Sequence, residues 1–154
     1  MLKKQQPLIK RKLQFLPRLA KLKTIKKYCM NKTILIIEDD KVLSDMYRDK
    51  FTVSAFSVLT AEDGQKGLDL ALSEKPNIIL LDLALPKLQG MDVMGTLRTN
   101  SWGKTVPIIV LTNLNVDGKI LEAVTKFNPV YCLLKANTTP EEVLSKAKEV
   151  LHYE

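Results

Sequence analysis

The sequence predicts a doubly wound α/β fold: a parallel sheet with helices covering both faces. Three observations carry that expectation. Five short apolar runs, each about the length of one strand, recur from residue 33 onward. The segments between them have helical rather than alternating periodicity. The runs are almost continuously apolar, as strands buried on both faces must be, and do not alternate as half-exposed antiparallel strands do.

The first run, Thr33 to Ile37, is β-branched and too short for a helix, and it stops at Glu38-Asp39-Asp40. Val42, Leu43, Met46 and Tyr47 then mark an apolar helical face that continues to about Phe51. Phe56 to Thr60 reads as the second strand, and the next helix runs from about Gln65 to Ser73 with Leu68, Ala71 and Leu72 inward. Asn77 to Leu81 is the third strand, stopped by Asp82. A loop with Pro86 and Gly90 leads to a helix carrying Val93, Met94 and Leu97. Val106 to Leu111 is the fourth strand, with Pro107 near its start, where a missing N–H is tolerated. Ile120, Leu121, Val124 and Phe127 mark a helix, and Val130 to Leu134 the fifth strand. The last helix opens with Thr138 or Thr139 as cap, Pro140 in first position and Glu141-Glu142 in the first turn. Val143, Leu144, Ala147, Val150 and Leu151 line its inner face.

Composition narrows the function classes. The chain has 154 residues, 45% of them apolar and only 6% aromatic, enough for one mostly aliphatic core without staples. Cys29 and Cys132 form no metal or redox pattern and suit a reducing cytoplasm as free thiols. No apolar run reaches the ~18–20 residues of a membrane span. The net charge of +7 is an average of two unlike parts. Residues 1–30 carry ten Lys or Arg and no acid, and the remainder is mildly acidic. The expected organisation is a basic N-terminal arm, 1–30, followed by one domain, 31–154.

In a sheet of this type ligands bind beyond the carboxyl ends of the strands. The strand ends here deliver Glu38, Asp39 and Asp40 from the first, Asp82 from the third, Thr112 from the fourth and Lys135 from the fifth. For Asp40 the favoured reading is instead a cap on the helix that follows. Carboxylates clustered without a partner repel one another, so a cation is expected between them. Oxygen ligands with no His or Cys suit a hard ion such as Mg²⁺. A carboxylate with a metal, an ammonium and a hydroxyl around it can take up a phosphoryl group.

Thr33-Ile-Leu-Ile-Ile-Glu-Asp-Asp40, Leu80-Leu-Asp-Leu-Ala-Leu-Pro86 with Gly90, Pro107-Ile-Ile-Val-Leu-Thr112 and Leu133-Leu-Lys135 resemble the response regulator receiver family in order and spacing. The likeness spans about residues 32–152. It implies the strand order 2-1-3-4-5, Asp82 as phospho-acceptor, and Mg²⁺ held by Glu38, Asp39, Asp82 and the backbone carbonyl of Ala84. It further implies that Thr112 reaches a phosphoryl oxygen and that Lys135 pairs with Asp82 or with the phosphoryl group. Asp63-Gly64 stands where the family often has a turn opening its second helix.

Three positions depart from the family pattern. Ala136 replaces the usual proline after the lysine, so the bond there is expected trans or strained, since a non-proline cis bond costs about 3 kcal/mol. Cys132 stands where a switching Tyr or Phe is usual, and the neighbouring Tyr131 would face the other side of the sheet. Asn113 follows Thr112 where a small residue is usual. Ala84 and Leu114, two residues beyond Asp82 and Thr112, are apolar, and by resemblance this implies slow loss of a phosphoryl group. His152, the only histidine, reads as a residue of a final helical turn suited to its dipole, and Trp102 as packing.

The expected function is a stand-alone cytoplasmic receiver, not an enzyme, partnered by a histidine kinase or phosphotransfer protein and by a downstream protein target. By family analogy the target would meet the helices spanning 116–127 and 139–151. The alternatives are a phosphohydrolase, against which Ala84 argues because a second acid belongs there, and an adaptor that is never phosphorylated. Acids after the first strand exclude a glycine-based dinucleotide site. The arm has two readings: a surface helix on anionic lipid or nucleic acid, interrupted by Pro17, or residues upstream of a true start at Met30. The second is favoured, with the arm unfolded or weakly helical.

Overall fold

The computed structural model describes residues 31–113 and 118–153, together with Pro17 and Ala20 taken singly. The expectations for the rest of the arm, and for Leu114, lie outside the described residues. Contacts divide the chain between Asn31 and Lys32, and the sheet belongs to the second unit.

That unit alternates strand and helix throughout: β1 Thr33–Ile37, α1 Lys41–Val53, β2 Ser57–Ala61, α2 Gly64–Glu74, β3 Ile78–Leu81, α3 Gly90–Thr99, β4 Ile108–Thr112, α4 Gly118–Thr125, β5 Tyr131–Leu134 and α5 Pro140–Val150. The strands form one parallel sheet in the order β2-β1-β3-β4-β5. The doubly wound prediction and its strand order are therefore correct.

Strand alternation sorts the core into two layers. Leu35, Ile37, Ile79, Leu81, Ile108 and Val110 face α2, α3 and α4. Ile34, Ile36, Ile78, Leu80, Ile109 and Leu111 face α1 and α5. Because adjacent positions on β1, β3 and β4 go to opposite layers and both layers are covered, these strands had to read as unbroken apolar runs. Trp102 is partly buried against the first layer, as expected of a packing residue. Among the described residues no helix is long and apolar enough to cross a membrane.

The helix starts follow side-chain chemistry. Thr139, not Thr138, caps α5 and makes a reciprocal capping box with Glu142. Asp40 caps α1, its Oδ1 accepting from the N–H groups of Val42 and Leu43 at 2.9 and 3.1 Å. That phase corrects the expected inner face of α1. Leu43, Tyr47 and Phe51 turn inward, whereas Val42 is 78% exposed and Met46 39%. Val42 and Met46 sit one residue, roughly 100°, before Leu43 and Tyr47 around the helix, so the pair that points straight at the sheet is fixed by the phase of the helix. His152 is also corrected. It lies beyond α5 with φ 48°, in the left-handed position that closes a helix rather than in the last turn.

The approach of α3 to the end of β3 is set by Gly90. Its N–H donates to the Leu83 carbonyl at 3.0 Å, and a Cβ there would lie 2.2 Å from the Asp82 carbonyl oxygen. Gly90→Ala is expected to destabilise the domain by about 2 kcal/mol or more, because backbone must move to admit the methyl group. Urea denaturation checks this, and an unchanged midpoint would contradict the close approach.

Candidate functional site

The pairing of β1 with β3 sets the centre of the site. Ile37 stands opposite Leu81, so the first residues beyond these strands, Glu38 and Asp82, emerge side by side. Their backbones stay tied to the sheet, with the Asp82 N–H donating to the Ile37 carbonyl and the Glu38 N–H to the Ala61 carbonyl, each at 3.0 Å. Both carboxylates are almost completely buried.

Lys135 comes from two strands away. Leu134 stands opposite Thr112 and Val110 opposite Leu81, so the residue after β5 must cross the end of β4 to reach Asp82. Two strand spacings are roughly 10 Å, a distance that the extended lysine closes only together with the Asp82 side chain reaching toward it. Its Nζ lies 2.5 Å from Asp82 Oδ2 and 2.6 Å from Glu38 Oε2. Thr112 ends the strand being crossed and is fully buried. Asp82 Oδ1 accepts from the Ala84 N–H at 3.1 Å, which fixes the backbone of Ala84 beside it. Ala84 itself is exposed.

Glu38, Asp39 and Asp82 each offer a carboxylate oxygen, and these atoms lie within 4.8 Å of one another. Asp39 is exposed while the other two are buried, so the cluster opens to solvent on one side. The third acid of the run, Asp40, spends its side chain on the α1 cap and leaves the cluster. The structure thus brings together Glu38, Asp39, Asp82 and Lys135 at one edge of the sheet, with Ala84 tethered to it and Thr112 buried at the end of the intervening strand.

The charges are unevenly satisfied. Burial pushes the Glu38 carboxyl above its ordinary value, opposed by its hydrogen bond to Lys135 and by the lysine's charge. Burial alone would lower Lys135, but the hydrogen bonds it donates to Asp82 and Glu38 outweigh that and hold the ammonium above its ordinary value. The ammonium is therefore firmly charged, while burial disfavours the charge on Glu38. An all-oxygen cluster of three carboxylates, two of them sharing one ammonium, is a donor set that fits a hard divalent cation.

The departures noted in the sequence take definite form. No cis peptide bond occurs among the described residues, so Lys135–Ala136 is trans, and Lys135–Asn137 forms a short 3₁₀ turn. Cys132 packs on the α2–α4 side of the sheet, and Tyr131 faces α5, where Lys146 Nζ sits 4.1 Å from its ring centroid. Asn113 is exposed beside Thr112. Asp63-Gly64 does open α2, with Asp63 as its cap, and neither that cap nor a second partnership was foreseen: Asp63 Oδ2 lies 2.6 Å from Lys87 Nζ. Nothing in the spacing of residues 24 apart announces that pair.

Residues 34–148 match the model of the response regulator receiver domain. The chain belongs to that family. Among curated relatives, the response regulator MprA of Mycolicibacterium vanbaalenii is 38% identical over 79 residues, covering 51% of this chain and 33% of that one. The polar-differentiation response regulator DivK of Brucella anthropi is 29% identical over 89 residues, covering 58% of this chain and 72% of its own. The chain spans about a third of the length of the first curated relatives it matches. Among solved structures, the chemotaxis response regulator CheY4 of Vibrio cholerae superposes with a TM-score of 0.72 at 22% identity, covering 79% of this chain and 99% of that one. A receiver domain protein from Methanospirillum hungatei gives 0.73 at 22% identity, covering 79% and 94%. These two confirm the fold. The receiver domain described here is thus homologous to response regulators of two-component systems, a family in which aspartate phosphorylation and Mg²⁺ binding are typical.

In this receiver, removing the lysine should cost far more than removing one acid. Lys135→Met leaves two buried carboxylates unpaired and is expected to lower stability by about 3 kcal/mol at neutral pH. Glu38→Gln leaves the Lys135–Asp82 bond in place and relieves a disfavoured charge, so its cost should stay within about 1 kcal/mol. The sign with pH follows from the raised lysine. Its contribution is complete below the ordinary value of 10.5 and is lost as pH climbs through the higher folded value, so the gap between wild type and Lys135→Met should close in strong alkali. Urea titrations across pH measure both, and a Lys135→Met variant as stable as Glu38→Gln would refute the charge assignment.

Proposed function

We propose that this receiver takes part in a two-component phosphorelay and becomes phosphorylated on Asp82. The observation that supports it most is the seat of the Lys135 ammonium, 2.5 Å from Asp82 and 2.6 Å from Glu38, with Asp39 open to solvent alongside. An aspartate held between a firm cation and two further acids is both oriented for attack and ready to share a second cation.

In this reading Glu38, Asp39, Asp82 and the backbone carbonyl of Ala84 would hold Mg²⁺. When bound, the ion supplies positive charge to a phosphoryl group's equatorial oxygens and offsets the clustered acids. An Asp82 carboxylate oxygen attacks phosphorus, forming the O–P bond as the P–N bond of a phosphohistidine breaks and its electron pair returns to the imidazole. Lys135 exchanges its bond to Asp82 for one to a phosphoryl oxygen, and Thr112 donates its hydroxyl to another. The donor is a histidine kinase or phosphotransfer protein, and the output is a contact with a further protein rather than turnover of a substrate. Leu121 of α4 and Val130 and Leu134 at β5 remain 39–45% exposed, which supports a protein contact on that side. The receiver unit is taken as 31–154 and its setting as the cytoplasm, and residues 1–30 are given no role in the signal.

The test is incubation with acetyl phosphate and Mg²⁺ followed by intact mass. A single phosphoryl adduct is expected on the unaltered chain and none on Asp82→Asn. No adduct, or steady phosphate release without one, would overturn the reading. Because the Ala84 side chain has no group to orient water, the adduct should persist well beyond seconds in the isolated protein, as a mass time course would show.

A further inference from the structure

Five non-glycine residues among those described have positive φ. Ala55, Lys75, Asn128 and His152 follow the ends of α1, α2, α4 and α5, where a left-handed residue closes the last turn. Lys87, at φ 64°, ends no helix and lies in the loop between Asp82 and α3. The Leu88 N–H donates to the Pro86 carbonyl at 2.8 Å, closing an i→i+2 turn centred on Lys87. A γ-turn with positive φ is rare and strained, and lysine lacks the freedom that glycine would bring to it. Such strain persists only where the surroundings hold it, and it tends to gather at functional sites.

The surroundings are visible. Lys87 Nζ bonds Asp63 Oδ2 at 2.6 Å, and the Asp63 side chain is 3% exposed where the lysine's is 69%. Asp63 Oδ1 meanwhile accepts from the Lys66 N–H at 2.8 Å, so one buried carboxylate both caps α2 and grips the loop. Gly64 lets the two backbones meet: its N–H reaches the Pro86 carbonyl at 3.3 Å, and a Cβ there would fall 1.8 Å from the Leu88 carbonyl oxygen. At its start the same loop carries Ala84, tied to Asp82 Oδ1, and at its end Gly90, tied to Leu83. The loop that bears the proposed backbone ligand is thus pinned at both ends and in the middle.

We propose that Lys87 and Asp63 are positioning residues whose ion pair holds the strained turn, and with it the Asp82–Gly90 loop, ready for a divalent cation. The inference rests on the receiver reading of the site. It places the ordering of the loop in the metal-free protein, so that cation binding need not supply it. An exposed ammonium makes the pair a modest one, which sets the expected effect at roughly twofold to fivefold in affinity.

Two measurements on the full chain test this: Mg²⁺ titration followed by NMR, and amide exchange of Ala84, Leu88 and Gly90 without metal. Lys87→Met keeps a side chain at the strained position and removes the charge, and Asp63→Asn keeps a capping oxygen and removes the ion pair. Each is expected to weaken Mg²⁺ binding roughly twofold to fivefold and to speed exchange in the loop, with the urea midpoint little changed. The double variant should be no weaker than either single one, and Lys87→Arg should behave as wild type. Unaltered affinity and exchange in Lys87→Met, or losses that add in the double variant, would overturn the proposal. Failure of the unaltered chain to bind Mg²⁺ at all would sink the receiver reading itself. Unchanged loop exchange in Lys87→Met would sink the positioning role whether or not the metal binds.

Discussion

A lysine that reaches across one strand to bond carboxylates on the far side is the contact on which the site depends. Lys135 leaves the edge strand β5, passes the end of β4 and ends between Glu38 and Asp82. Without that ammonium the two acids would be buried beside each other with no cation between them, and the backbone N–H groups of Ala84 and Asp40 that they also accept from carry no charge to offset their repulsion. With it, β1, β3 and β5 are joined at one edge by charge as well as by the ladder. The parallel register makes this possible, since a one-residue slip of β1 against β3 would send Glu38 or Asp82 to the wrong layer.

The same edge divides labour among four neighbouring acids by exposure. Asp40 is consumed by the α1 cap, Glu38 and Asp82 are buried on the lysine, and Asp39 faces solvent. That gradient gives the cluster an inside that is pre-paired and an outside that remains open. The loop after Asp82 follows the same logic, because α2 holds it through Asp63 and Gly64 rather than leaving its shape to whatever binds. A site whose partners are already in place loses less freedom when a ligand arrives.

Much of this was legible in the residues. The five strands could be read because both faces are covered, which removes polar residues from the runs and leaves Glu38, Asp82, Thr112 and Lys135 as abrupt stops. The Thr139 cap and the opposed faces of Tyr131 and Cys132 could be read from local chemistry and strand alternation. Other features could not. Val42 and Met46 look as apolar as Leu43 and Tyr47, and only the phase set by Asp40 separates the exposed pair from the buried one. Arg98 carries no motif, yet its guanidinium donates to the carbonyls of Phe127, Gly103, Val106 and Asn128 and ties α3 to two loops. Lys87 reads as an ordinary surface lysine, because a positive φ leaves no mark on a residue that does not favour it.

The sequence by itself determined the element types, the two-layer core, the chemical kind of site and the residues competent to build it, because periodicity and residue chemistry are local properties of the chain. Tertiary structure alone decided which acid caps and which clusters, that the Lys135–Ala136 bond is trans, which apolar residues of α1 stay outside, and that Asp63 grips Lys87. Each of those outcomes is set by where two distant segments meet, and the energy of such a meeting depends on distance and burial that no stretch of residues contains on its own.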